Sequence, residues 1–325
     1  MSETDVLIIG AGPAGLYAAY YAGFRGFTVT VLDVLPEPGG QITAMYPEKM
    51  IFDVAGFPAI KGRDLVEGLL AQANNFSPTY VLGERAEQVT HTDGSHVTVT
   101  TDKGTVIVAK AVVITGGIGS FTPRELPTGS EFIGRGLVYF VPRLEEHRGK
   151  DIVIVGGGDS AFDWAFSLHG IANSIKIVHR RDAFRAHAAT VDQVRELGIE
   201  LIINSEVSAV TGTDHIESVT ITNKDSGDER VLPAQTLVAA LGFVANIGPI
   251  SDWGLNLEKR HIVVDTHMRT NQPRIFAAGD IATYPGKVAL ISVGFGEAAT
   301  AINNAVPDID PAQGVFPGHS SGGAE

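Results

Sequence analysis

Cysteine is absent from all 325 residues. The chain alone can therefore build no disulfide, thiolate metal site, thiol nucleophile or cysteine-held iron–sulfur cluster, and any redox chemistry needs a bound cofactor. Positive charge is scarce: 24 Lys and Arg stand against 37 Asp and Glu, a formal net charge of −13. That field argues against broad nucleic-acid binding, although local amides and arginines can still hold a small anion. No apolar run reaches the roughly 18 residues of a membrane helix, so no membrane span is expected. Residues 1–5 lack the basic and apolar stretches of a secretion signal, and a cytoplasmic location is the expectation.

Apolar material is plentiful. Hydrophobic residues make up 44% of the chain, and its length suggests two domains. The 38 glycines cluster at the ends of apolar runs. That placement points to tight turns and close backbone approach.

The first such cluster follows the apolar run 5–9. Gly10-Ala-Gly12-Pro13-Ala14-Gly15 is succeeded by a helical stretch, 16–26, and a second strand, 27–32, that ends in Asp33. Strand, GxGxxG, helix, strand and acid, in that order, are the parts of a dinucleotide fold. Gly10 permits the turn, Gly12 lets a pyrophosphate approach the backbone, and Gly15 lets the helix sit close on the sheet. Asp33, 18 residues past Gly15, is placed to accept from a ribose hydroxyl and would repel a 2′-phosphate, so the site suits FAD or NAD over NADP. Gly39-Gly40-Gln41 can press against a flat ligand or simply form a loop.

The pattern recurs about 146 residues later. Apolar 151–155 leads into Gly156-Gly-Gly158-Asp159-Ser160-Ala161, then a helix to 168 and a strand at 174–178. Here the second strand ends in His179-Arg180-Arg181, with Arg185 close behind. Guanidinium groups at this point match a 2′-phosphate. The first unit accordingly reads as an FAD site and the second as an NADP site, and a flavin paired with a nicotinamide makes a hydride-transfer device.

Between the units, 61–76 reads as a helix, and 81–89, 97–101, 105–108 and 111–117 read as strands. After the second unit, 236–242 is a strand, Ile275 to Asp280 is a short apolar run closed by Gly-Asp, and 288–305 is a helix of small residues. Asp280 can hold a polyhydroxylated chain or belong to a plain turn. The fold expected is α/β, two Rossmann-like nucleotide-binding domains with the second inserted in the first: residues 1–118 and 244–325 for FAD, 119–243 for NADPH.

Over nearly its whole length the chain resembles the thioredoxin-reductase-like ferredoxin–NADP reductases, the homodimeric bacterial type. The resemblance is carried by both glycine motifs, Gly39-Gly40-Gln41, Tyr46-Pro-Glu-Lys49, Asp53-Val-Ala-Gly-Phe57, His179-Arg-Arg181, the stretch 239–250, Ala278-Gly-Asp-Ile281 and Tyr284-Pro-Gly-Lys287. It implies a cytoplasmic homodimer with FAD and NADPH that exchanges electrons with ferredoxin or flavodoxin. It also implies that Asp280 and Ile281 help bind FAD, that Tyr46 stacks on one flavin face, and that His319, with Ser320 beside it, covers the other. Thioredoxin reductases share the broad fold but carry Cys-x-x-Cys where this chain has Tyr139-Phe-Val-Pro142, so dithiol exchange is excluded.

The activity expected is hydride transfer from NADPH to FAD followed by one-electron steps out. The acceptor could instead be a quinone, a ferric chelate or another small oxidant, and a nucleotide-binding protein without turnover is the further alternative. An acidic ferredoxin would need a local basic face, for which Arg143, Arg148 and Lys150, or Arg124 and Arg135, are candidates.

Overall fold

The structure is a computed structural model and describes residues 2–316. The chain divides into two compact units, Met1–Ala44 with Met50–Ser120 and Ala245–Glu325, and Met45–Lys49 with Phe121–Val244. The insertion thus enters at residue 121 and leaves at 244, and the short segment Met45–Lys49, assigned by sequence to the first domain, groups with the second unit.

The first unit is organised by β1 (Ser2–Ile9), whose run Val6-Leu7-Ile8-Ile9 is buried. Burial of successive residues, rather than alternate ones, is what a central parallel strand covered on both faces requires. α1 (Pro13–Phe24) follows the glycine loop, then β2 (Val29–Asp33) and α2 (Gly62–Asn74), which buries Leu65, Val66, Leu69 and Ala73 on one face. Next come β3 (Thr79–Leu82), β4 (Ala86–Thr92), β5 (His96–Thr101) and β6 (Val106–Ile114). The strand order is β3-β2-β1-β6-β5-β4. β1 pairs in parallel with β2 and β6, while β4, β5 and β6 form an antiparallel meander.

Two strand expectations need correction here. The run 81–89 is not one strand: Gly83 turns the chain at φ +71, so β3 pairs with β2 and β4 starts a new hairpin. Conversely, 105–108 and 111–117 are largely one strand, β6, whose first half pairs with β5 and whose second half lies in the parallel core.

The second unit holds β7 (Leu137–Val138), β8 (Asp151–Val155), α3 (Asp159–Leu168), β9 (Ser174–Val178), α4 (Ala188–Glu196) and β10 (Glu200–Ile202). A three-stranded antiparallel sheet follows, β11 (Ser205–Gly212), β12 (Ile216–Asn223) and β13 (Glu229–Pro233), and then β14 (Thr236–Ala239). The parallel sheet has the order β7-β14-β8-β9-β10. Its two faces are separate cores: Ile152, Phe162, Trp164 and Leu168 on one, Leu137, Val153, Val219 and Leu237 on the other.

The chain returns to the first sheet with β15 (Ile275–Ala277), parallel to the end of β6. α5 (Ile291–Ile309) then packs on α1, with Ala298, Ala301 and Ala305 meeting the same core as Ala18 and Ala22. Small residues on both helices let the backbones approach. α5 starts later and ends later than the expected 288–305, because residues 288–290 are exposed and outside the helix.

Candidate functional site

In the first unit the glycine loop is closed by backbone. Gly10 has φ +114, and a Cβ on it would lie 2.5 Å from the carbonyl oxygen of Thr115; one on Gly15 would lie 1.8 Å from that of Gly10. Gly12 differs: the nearest heavy atom to its would-be Cβ is the Cα of Gly40, at 4.0 Å. Open space on Gly12 beside a second glycine is a cradle that side chains would fill. Pro13 opens α1, where its missing N–H costs nothing, and no side chain caps that helix end and no acid lies in its first turn. The free amides and the helix dipole therefore face the cradle.

Asp33 is 8% exposed. One carboxylate oxygen accepts from the Ala11 N–H at 2.5 Å and the other from the Leu35 N–H at 2.8 Å. Burial pushes its carboxyl above the ordinary range, against the pull of those two amides. Each oxygen keeps a further lone pair for a ligand hydroxyl.

Asp280 follows β15 in a short helical turn, Gly279–Ile281, with Ile281 buried and Asp280 half-buried. Neither the Asp280 carboxylate nor the Gln41 amide hydrogen-bonds a described residue. Ala14 meets this turn, since a Cβ on Gly279 would lie 3.1 Å from that of Ala14. The structure thus gathers Gly10, Gly12, Ala14, Gly15, Gly40, Gln41 and Asp280 around one loop. Phe52, Asp53, Val54, Phe57 and Ser292 line an open hollow in the same unit.

In the second unit Gly158 is the open glycine, with nothing within 4 Å of its would-be Cβ, and Gly156 is the closed one, 2.5 Å from the carbonyl oxygen of Ala240. α3 starts with Asp159 and Ser160 exposed and Ala161 buried; Asp159 Oδ1 accepts from the His187 N–H at 2.9 Å. Arg180, Arg181 and Arg185 are exposed, and none of their guanidinium groups has a hydrogen-bond or ion-pair partner among the described residues. His179 sits differently. Its ring lies against Gly157, 5.3 Å from the ring of Phe184, with Nε2 donating to the Ala183 carbonyl at 3.2 Å. Burial pushes its pKa down, and the three arginines push it further. At neutral pH the three permanent charges belong to the arginines.

Tyr46 lies in the segment grouped with the second unit and packs on the core that contains Phe162 and Trp164. Lys49 in that segment pairs with Asp163 at 2.6 Å. His319 and Ser320 lie outside the described residues.

The proposed basic faces are weaker than their residue types suggested. Arg143 pairs with Glu146 at 3.3 Å and Arg148 with Glu145 at 2.7 Å, each three residues along. Arg135 donates to the Glu131 carbonyl and lies over the Phe132 ring. Exposed pairs this close cancel much of the field a docking partner would feel.

Sequence reasoning missed a buried group beside Gly279. Glu297, 4% exposed, accepts from the Gly279 N–H at 2.8 Å, from the Tyr284 hydroxyl at 2.6 Å and from Lys287 Nζ. Burial, then the bond to Glu297, pushes the Tyr284 hydroxyl up to about 12. The only sequence signal was an acid in the apolar face of α5.

Comparison with known proteins shows the family. Residues 4–305 match the family model described as pyridine nucleotide-disulphide oxidoreductase. The chain is 58% identical over 97% of its length to a ferredoxin–NADP reductase of Frankia casuarinae, covering 98% of that relative. It is 47% identical over 98% of its length to a ferredoxin–NADP reductase of Thermus thermophilus, covering 97% of that protein. Among solved structures, T. acidophilum thioredoxin reductase matches with TM-score 0.77 at 26% identity, over 95% of this chain and 99% of that one.

Proposed function

The chain belongs to the pyridine nucleotide-disulphide oxidoreductase family and, within it, to the ferredoxin–NADP reductases; from this premise we propose that it carries electrons between NADPH and ferredoxin through bound FAD. The observation that carries the reading is the contrast between its two nucleotide loops. One is closed by the buried carboxylate of Asp33, the other by three arginines without a partner among the described residues.

FAD, when bound, supplies the chemistry that takes two electrons together from NADPH and passes them on singly. The chain's residues bind and orient. Gly10, Gly12, Pro13, Ala14 and Gly15 offer the diphosphate a glycine-lined helix start, Asp33 accepts from the ribose, and Gly40, Gln41, Asp280 and Ile281 hold the remainder of the cofactor. Gly156, Gly158, Asp159, Ser160 and Ala161 receive the NADPH diphosphate, with Arg180, Arg181 and Arg185 on the 2′-phosphate. His179 shapes that pocket as a neutral ring rather than as a charge. Tyr46, His319 and Ser320 are assigned to the flavin ring on the strength of the family resemblance.

The same resemblance supports a cytoplasmic homodimer that also accepts flavodoxin. No helix of the described residues is long and apolar enough to cross a membrane.

Anaerobic addition of NADPH to the yellow protein tests the reading. The flavin absorbance should bleach, and it should recover on adding oxidised ferredoxin faster than on adding a quinone. A protein that binds no flavin, or a flavin that NADPH leaves oxidised, overturns it.

A further inference from the structure

Gly279 and Asp280 form the turn that follows β15, and Gly279 has φ +76, a left-handed conformation. Both polar groups of Gly279 are gripped by side chains. Its N–H donates to Glu297 Oε2 at 2.8 Å, and its carbonyl accepts from Lys287 Nζ at 3.1 Å. Glu297 and Lys287 also pair with each other, with side chains 4% and 10% exposed. The grip spans two elements. Glu297 belongs to α5, while Lys287 lies in the stretch 285–290, whose other residues are all exposed.

A buried ion pair adds little net stability. Desolvating both charges costs about what their attraction returns, and an apolar pair of similar volume often serves as well. An apolar pair could not, however, accept from one side of a glycine and donate to the other. The consequence of this pair is therefore conformational. It fixes the turn while leaving the Asp280 carboxylate with no hydrogen bond from a described residue.

We propose that Glu297 and Lys287 are positioning residues for the flavin site, their buried pair holding the Gly279–Asp280 turn in the conformation that offers Asp280 to FAD. The inference rests on the reading of this unit as the FAD-binding one. Without Lys287, the Gly279 carbonyl keeps only the Ala282 N–H of its own turn, and Glu297 keeps an uncompensated buried charge. Without Glu297, the Gly279 N–H is orphaned. Either change loosens the turn and also weakens the fold.

The test separates these two effects. FAD release from the purified holoprotein is followed by the rise of flavin fluorescence on dilution, for the parent, Lys287→Met, Glu297→Leu and the double variant. Val99→Ala, in the buried face of β5 away from the turn, serves as a protein destabilised for other reasons. Thermal melts of the flavin-free forms accompany each. Each single variant should raise the FAD dissociation constant by about tenfold or more. The double variant should recover thermal stability but not FAD affinity, and Val99→Ala should lose stability with FAD affinity unchanged. If one single variant fails to fold, the other and the double variant carry the comparison. Parent-like FAD affinity in the double variant overturns the proposal, as does a loss of affinity that tracks melting temperature across all variants. A parent that binds no FAD overturns the underlying reading instead, and the two failures are told apart by the parent alone.

Discussion

A Cβ placed on Gly157 would stand 2.3 Å from Cε1 of the His179 ring. The middle glycine of the second loop is thus required by an imidazole rather than by a phosphate. Gly157→Ala should displace the ring, which the Ala183 carbonyl and Phe184 hold in place, and weaken NADPH binding by about tenfold, with flavin content unchanged. Adding His179→Ala should recover most of the loss, because the clash goes with the ring. Titration of both variants with NADPH checks this, and equal affinities for the single and double variants would refute it. Arg180 and Arg181 make a second prediction at this scale. Charge-assisted hydrogen bonds contribute about 1.5–3 kcal/mol each, so Arg180→Ala with Arg181→Ala should raise the KM for NADPH by about 100-fold and leave that for NADH nearly unchanged. Steady-state kinetics with both coenzymes decide it.

Among the elements, β14 and the 3-10 turn Leu144–His147 meet through a buried histidine. His147 is 6% exposed, with Nδ1 3.1 Å from the Thr236 hydroxyl. Burial, with Lys150 nearby, holds its pKa below the ordinary 6.5. A depressed histidine is neutral in the fold and charges more readily once unfolded. Its contribution is therefore complete above pH 6.5 and is lost as pH falls through that value toward the folded pKa. Melting temperature should fall more steeply between about pH 7 and 5 in the parent than in His147→Gln, which keeps a hydrogen-bonding side chain that does not titrate. Parallel curves would remove His147 from the account. Element boundaries also mark where sequence reading stopped. β8 and β9 were legible as apolar runs closed by glycine or by charge, whereas the break at Gly83 was not. The run 81–89 has weak β-formers at its centre, Gly83, Glu84 and Arg85, and its two halves take different partner strands, β2 for one and β5 for the other.

For the whole molecule, the net charge of −13 meets an acidic electron carrier with like sign. Since Arg143 and Arg148 are paired with their own neighbours, little basic surface is left at those positions to steer it. Raising ionic strength from about 10 to 150 mM should leave kcat/KM for ferredoxin level or raise it, because salt screens repulsion as well as attraction. A steep fall would reveal a basic docking face. The sequence by itself determined the two nucleotide loops, their opposite electrostatic ends and the exclusion of thiol chemistry. These depend on residue type at short spacing, and a strand–loop–helix unit is built from neighbours. What only the tertiary structure decided is which of those groups are free to act. Arginines paired three residues along, a histidine turned against a glycine, and an acid and a lysine 10 residues apart that close on one glycine residue are set by packing, where burial and partner, not residue type, govern what a side chain can bind.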